Sequence, residues 1–489
     1  MAEVEIKLEI PESTKDQVFA AARRRQGRTR SQRAIYFDMP SNLLSTHGLV
    51  LRLRLEDGRW IQTVKAPGSS AVERLEHEAD AGDASGSMPP ALDLCLHDGT
   101  PVGKALRRTL AWKGASAPSE LAPRFEVTVE RLISELRHGG SSIELALDLG
   151  QVEAQGRTGP ICELEFELKE GRVADLVALA RQWRSEHHLS LSVISKAQKG
   201  AQLAAGQRFG PAVTAREPVQ QRGATAGAMT RAVLQACADQ VIANASEISA
   251  GSQDANHVHQ LRVGIRRLRT ALRELPLAAV PSGDMEAALV RAFRQLGEHR
   301  DRQHVVQSLA PKVEAAGGAR IDFASPEPES LPADIVGKDD FQDALLQLIA
   351  LAHGVDESDG GRARKQLAPA LDKLLRKVLR DGRHFAELPA DQQHGVRKRL
   401  KRLRYLSEFA APQFRRGPVK RFIEQLKPVQ EALGAYNDGL VALEVYRAAA
   451  RDNPQAAFGA GWLTAQADLQ VRQCAKALRR LNKAEPFWR

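Results

Sequence analysis

At 489 residues the chain is too long for one hydrophobic core, and at about 150 residues per domain it implies about two to four domains. No apolar run reaches the roughly 18 residues of a membrane span, and four scattered cysteines (Cys95, Cys162, Cys237 and Cys474) without a CxxC pair exclude a disulfide framework and a zinc knuckle. The net charge of +10 is one-sided: residues 1–210 hold 28 basic and 28 acidic side chains, leaving 42 of the 70 basic and 32 of the 60 acidic ones after Gly210, so a neutral module precedes a basic one suited to an anionic partner.

The N-terminus opens directly into a charged strand, without the basic-then-apolar order of a signal peptide, and a cytoplasmic location is expected. In that strand Glu3, Glu5 and Lys7 alternate with Val4, Ile6 and Leu8, so one face is charged and the other apolar. A helical run from Glu12 to Gln26 follows, closed by Gly27. Arg33 to Asp38 reads as a second strand. Leu49–Leu55 and Arg59–Lys65 form a hairpin over Glu56-Asp57-Gly58, since Asp-Gly supplies the positive φ of a tight turn. Arg74, Glu76 and Glu78 then repeat the period of two.

Residues 82–101 read as a loop with a short helix. Leu106–Trp112, Phe125–Leu132, Ser142–Leu149 and Pro160–Leu168 read as further strands, carrying Arg108, Arg131, Glu144, Asp148, Glu163, Glu165 and Glu167. A helix over 173–187 precedes Ser195-Lys196-Ala197. Charges alternating with apolar residues in strand after strand fit either a sheet with one wet face or a closed barrel with a polar lumen. In a barrel, acidic residues of the first and last strands meet at the closure and suit a hard divalent cation, while Arg and Lys of the other strands suit phosphate oxygens.

Glu3-x-Glu5-x-Lys7, Leu51-Arg52-Leu53-Arg54, Thr63-x-Lys65, Arg74-x-Glu76, Arg131, Leu147-Asp148-Leu149-Gly150, Glu163-x-Glu165-x-Glu167 and Ser195-Lys196 together resemble the CYTH family of triphosphate tunnel metalloenzymes, in family order over residues 1–205. The resemblance implies an antiparallel eight-stranded β-tunnel that acts on a phosphoanhydride with Mg²⁺ or Mn²⁺. It implies Glu3, Glu5, Glu163 and Glu165 as metal ligands, with Glu167 as a further one. Lys7, Arg52, Arg54, Lys65, Arg74, Arg131 and Lys196 become the phosphate clamp, and Glu76, Glu144 and Asp148 hold a second metal, a water or an arginine. No residue is assigned as a covalent nucleophile.

Residues 206–227, rich in Pro, Ala, Gly, Gln and Thr, read as a linker. Helical periodicity then takes over. His259, Arg262, Arg266, Arg269 and Arg273 stand at steps of three and four beside an apolar stripe of Leu261, Ile265, Leu268 and Leu272. His394, Arg397, Lys401, Arg402 and Arg404 repeat the pattern 135 residues later, and Leu296-Gly297 with Asp301 recurs as Leu433-Gly434 with Asp438 at an offset of 137. Two markers at nearly one offset indicate an internal duplication. The expected domains are therefore 1–205, a linker, and 228–489 in two pseudo-symmetric halves, about 228–335 and 336–489; the fold class is multidomain α+β, a β-barrel followed by an all-α duplicated bundle.

The duplicated His/Arg helix resembles the CHAD domain, which implies polyphosphate binding in a basic groove through His259, Arg262, Arg266, Arg269, His394, Arg397, Lys401 and Arg404. Cations three and four residues from each histidine oppose a metal there. Low aromatic content argues against base stacking on single-stranded nucleic acid. The sequence reading is thus a hydrolase of inorganic triphosphate fused to a module for long-chain polyphosphate and its granules. The alternatives are an adenylyl cyclase on the same tunnel and a non-catalytic polyphosphate-binding protein.

Overall fold

The computed structural model describes residues 2–84, 88–111, 118, 120–276, 283–323 and 330–489, with the side chains of Ala2 and 298–307 left aside. The first elements are β1 (Ala2–Glu9), α1 (Lys15–Arg23), β2 (Arg28–Asp38), α2 (Leu43–Thr46), β3 (Val50–Glu56), β4 (Arg59–Pro67), β5 (Glu73–Asp83) and α3 (Pro101–Thr109). After them come β6 (Ala122–His138), β7 (Ser141–Ala154), β8 (Arg157–Glu170), α4 (Val173–His187), β9 (Ser190–Leu191) and α5 (Lys196–Ala204). The remaining described elements are helices: α6 (Ala226–Ser249), α7 (Ala255–Glu274), α8 (Gly283–Ser308), α9 (Ala310–Ala315), α10 (Pro332–Val336), α11 (Asp339–His353), α12 (Ala363–Arg383), α13 (Ala390–Ala410), α14 (Arg416–Ala449) and α15 (Ala456–Leu481).

The strands run in the order β5-β4-β3-β2-β6-β7-β8-β1, and a β5–β1 pairing closes them into an eight-stranded antiparallel barrel. The two-residue β9 adds to β1 outside that ring. The hairpin turn holds Asp57 at φ 49° and Gly58 at φ 80°, the left-handed pair that a two-residue turn requires.

The barrel's greasy faces point outward. Ile6, Leu8, Leu164 and Phe166 are fully buried because α4 covers them, with Trp183 edge-on to Phe166 at 6.1 Å. By the period of two, the charged faces of β1 and β8 then point into the lumen. Truncating one of these large buried side chains to alanine would cost about 2–5 kcal/mol.

The expected strand at Leu106–Trp112 is a helix instead, and Trp112 lies outside the described residues. Thr100 caps α3 by accepting from Gly103 N at 3.0 Å, and Pro101 sits in the first turn. Val102 and Leu106, one turn apart, pack with Leu51 and Val64 on the outside of the barrel. Several strands outrun their expected bounds: β6 spans 17 residues and β2 starts at Arg28.

Two compact units emerge. One contains Met1–Thr214, Ala238–Leu261 and Val336–Gly354; the other contains Ala215–Cys237, Arg262–Ile335 and Val355–Arg489. Residues 207–225 hold no helix or strand. In the helical part, the two His/Arg stretches fall on α7 and α13, and the two Leu-Gly markers fall on α8 and α14. Leu261, Ile265 and Leu268 of α7 and Val396, Leu400 and Leu403 of α13 are buried. Of the sequence markers, Asp301 lies outside the described side chains.

Candidate functional site

The barrel encloses a cavity of about 410 Å³ whose walls carry both signs of charge. Glu3 and Glu5 come from β1, Arg52 and Arg54 from β3, Lys65 from β4, and Arg74, Glu76 and Glu78 from β5. Arg131 of β6, Glu144 of β7, Glu165 and Glu167 of β8 and Lys196 of α5 complete the ring. Among the expected site residues of the barrel, Lys7, Asp148 and Glu163 do not line this cavity.

On one side the ion pairs centre on Glu76. Lys65 Nζ stands 2.7 Å from Glu76 and 3.4 Å from Glu3, and Arg52 is 3.7 Å from both Glu76 and Glu78. Arg54 reaches Glu56 and Glu78 at 3.1 Å each. Burial, then the hydrogen bond to Glu76, lifts the Glu3 carboxyl to about 9. Burial pushes Glu76 the same way, but Lys65, the bond to Glu3 and Arg52 outweigh it and hold Glu76 at about 2.

On the other side Arg131 grips Asp148 with two parallel bonds, 2.7 and 2.6 Å, and reaches Glu165 at 2.6 Å. Lys196 contacts Asp148 at 2.6 Å, Glu163 at 2.5 Å and Glu165 at 2.7 Å. Asp148 is thus the partner of an arginine and a lysine. Glu163 is fully buried under three ammonium groups, with Lys7 and Lys199 each at 3.0 Å. Burial would raise its carboxyl, yet Lys196, Lys7 and Lys199 hold it well below the ordinary range.

Strand register separates the expected metal ligands. Glu5 stands opposite Glu167 and Glu9 opposite Glu163, so Glu3 lies about 20 Å along the strand from Glu163, too far for both to reach one ion. Oxygens of Asp148, Glu163 and Glu165 do lie within 4.8 Å of one another. The sequence reading missed Arg30, Gln32 and Lys169 on the cavity wall and Lys199 behind it. Continuing the alternation of β2 back from Tyr36 through Ala34 and Gln32 reaches Arg30, and Lys199 lies one turn beyond Lys196 on α5.

α5 is placed by a capping box, in which Ser195 and Gln198 exchange side-chain and backbone bonds. It packs against Phe125, which stacks on Tyr36 at 4.6 Å. Gly200 makes this approach possible: a Cβ there would lie 2.1 Å from the Phe125 ring.

In the helical part, Arg262, Arg266 and Arg397 act electrostatically on Lys401. Burial, then Arg266 and Arg397, lowers its ammonium to about 7, with Asp438 opposing. Arg262 and Arg266 lie over the Phe293 ring at 4.9 and 5.3 Å. A Cβ on Gly297 would meet the Arg262 guanidinium at 2.6 Å, so the Leu-Gly marker makes room for Arg262, whereas Gly434 borders open space. Arg397 is 4.0 Å from Asp438, and His394 Nδ1 is 3.2 Å from Asn437 Oδ1. Arg269 and Arg404 are tied to Glu286 and Glu408 at 3.4 and 2.7 Å. His259 is half-buried on α7.

Two family models match. The CYTH domain covers residues 1–201 and the CHAD domain covers 232–447. The chain joins a CYTH domain to a CHAD domain. The chain is 30% identical over 172 residues to a Haemophilus influenzae protein described as an inorganic triphosphatase, a match spanning 35% of this chain and 46% of that relative's length. The CHAD domain of the plant Ricinus communis is similar at 23% identity and a TM-score of 0.46, over 55% of this chain and 96% of that one. A Hippeastrum protein, described as an adenylyl cyclase candidate with a dominant triphosphatase activity, is similar at 19% identity and a TM-score of 0.31, over 42% of this chain and 96% of that one. Among the described residues no helix is long and apolar enough to cross a membrane.

Proposed function

We propose that the chain is a divalent-metal-dependent inorganic triphosphatase whose CHAD part binds long-chain polyphosphate. The observation that carries the reading is one cavity of about 410 Å³ walled at once by carboxylates and by arginines and lysines. A cavity with both signs suits an anion that arrives with its own cation.

The residues fit such a cation. Glu3 and Glu76 hydrogen-bond to one another and share the single ammonium of Lys65, so one proton stays between the two carboxyls at neutral pH, in a place that a cation can take. Mg²⁺ or Mn²⁺ would be held by Glu3, Glu5 and Glu167 on the cavity wall, with Glu5 standing opposite Glu167. Glu163, whose charge three ammonium groups already meet, is assigned to orienting Lys7 and Lys196. When bound, the metal supplies charge neutralisation and a more acidic water.

The chain's own groups do the rest. Arg52, Arg54 and Arg131 offer planar forks for phosphoryl oxygens, Lys65 and Lys196 offer point charges, and Arg74 stands in register with Glu3. The half-buried barrel wall restricts solvent around these groups, which strengthens their pull on charge developing at the terminal phosphoryl group. In the CHAD part, the cations around Lys401 are the proposed polyphosphate contacts, and association with polyphosphate granules follows from them.

The test is full-length protein with Mg²⁺ or Mn²⁺ and a panel of inorganic triphosphate, ATP, thiamine triphosphate and long-chain polyphosphate, reading released phosphate and cyclic AMP. Triphosphate is expected to turn over fastest. Cyclic AMP as the main product would replace this reading with a cyclase.

A further inference from the structure

The segment between α4 and α5 carries two polar groups of the tunnel. The Ile194 carbonyl accepts from the Lys7 ammonium, and Lys196 opens α5. Where this strap sits therefore decides where both ammonium groups sit.

One edge of the strap belongs to the barrel. Leu191 pairs with Leu8, Ser190 pairs with Glu9, and Ser192 N donates to the Lys7 carbonyl at 3.0 Å. The period of two then turns the amides of Leu191 and Val193 away from β1. A two-residue edge strand would leave those donors to water. Instead, Leu191 N donates to Gln342 Oε1 at 2.8 Å and Val193 N donates to Ser246 Oγ at 3.2 Å.

Both acceptors are themselves fixed. Gln342 is 1% exposed and its Nε2 donates to the Val336 carbonyl at 2.8 Å, so rotating the amide would strand a buried partner at each end. Ser246 is 2% exposed and its hydroxyl donates to the Ile242 carbonyl at 2.8 Å. These residues lie inside the stretch that matches the CHAD model, yet their segments belong to the same compact unit as the barrel.

We propose that Gln342 and Ser246 are positioning residues of the tunnel: they hold the 190–195 strap and, through it, Lys7 and Lys196. The kinetic part of this inference rests on the proposed triphosphatase activity; the structural part does not. A cut after Gly210, which a purely modular reading of the sequence treats as harmless to the tunnel, would remove both supports.

The test uses full-length Gln342→Leu and Ser246→Ala, with Arg181→Ala as the control. Arg181 pairs with Asp343 at 2.6 and 2.9 Å, tying α4 to the same helix as Gln342 without touching the strap. Amide hydrogen exchange over residues 190–196 and kcat and KM for inorganic triphosphate with Mn²⁺ are read in parallel. Gln342→Leu is expected to speed exchange in the strap and lower kcat by about tenfold to a hundredfold, the effect of a small displacement of charged groups; Ser246→Ala does so more weakly and Arg181→Ala does neither. Wild-type exchange and kcat in Gln342→Leu, or equal effects in Arg181→Ala, would overturn the proposal. A wild-type protein inert toward triphosphate defeats the activity reading alone, because strap exchange still decides the positioning claim. If Gln342→Leu does not fold, Ser246→Ala, which loses a single hydroxyl, carries the same comparison.

Discussion

The carboxyl groups of Glu3 and Glu76 hydrogen-bond to each other across the β1–β5 closure of the barrel. Burial and this bond lift Glu3 to about 9, while Lys65 keeps Glu76 ionised despite its burial. The folded chain therefore holds a proton at Glu3 that an unfolded glutamate would have lost. Its contribution is fully present below the ordinary value of 4.5 and is lost as pH rises toward about 9. A cation entering the cavity must displace that proton, so Mg²⁺ binding at pH 7 should release about one proton. Calorimetry in buffers of different ionisation enthalpy measures the release, and Glu76→Gln should reduce it.

Glu163 faces Lys7, Lys196 and Lys199 with no exposed surface. Glu163→Gln leaves three ammonium groups short of a counter-charge in a buried site, and removing one partner of such a set costs about 3–5 kcal/mol. Urea unfolding should show that loss. Adding Lys199→Met to Glu163→Gln should recover part of it, because the two groups are coupled.

Gly200 lets α5 lie against Phe125. Gly200→Ala should push the helix, and Lys196 with it, off the barrel. The expected result is a loss of about 1–3 kcal/mol together with reduced triphosphate turnover. Gly58→Ala, at a hairpin tip with open space around it, should strain the turn and leave turnover unchanged.

Lys401 sits at about 7 because burial and the neighbouring arginines disfavour its charge. A bound polyanion reverses the arginines' effect and restores the proton. Retention of long-chain polyphosphate should therefore weaken as pH rises from below to above that value, with proton uptake on binding near neutrality. In Lys401→Met the pH dependence over this range should flatten, which a filter-binding titration reads directly.

Much of this arrangement was legible in the residue pattern. A period of two with charges on one face marks β1, β3, β5 and β8; it fits an open sheet with one wet face as well as a lumen, and the β5–β1 pairing decides for the lumen. The spacing of Arg262 and Arg266 likewise marks one face of α7, and that of Arg397 and Lys401 one face of α13. What failed has local causes. Leu106 and its neighbours look strand-like until the Thr100 cap and Pro101 are weighed. The separation of Glu3 from Glu163 depends on the register between β1 and β8, which neither strand encodes alone. The grip of Gln342 on Leu191 spans 151 residues, and no periodicity reports a contact between an interior helix and a two-residue edge strand.

The central claim is that the charged lumen performs phosphoanhydride hydrolysis. Phosphate release from inorganic triphosphate with Mg²⁺, by the wild type and by Arg52→Met/Lys65→Met in the same assay, tests it most directly. The lumen account predicts metal-dependent release by the wild type and a fall of at least about a hundredfold in the double variant, the scale seen when charge-stabilising donors are removed. Release that survives the loss of both cations, or that persists after chelation of the metal, would contradict it.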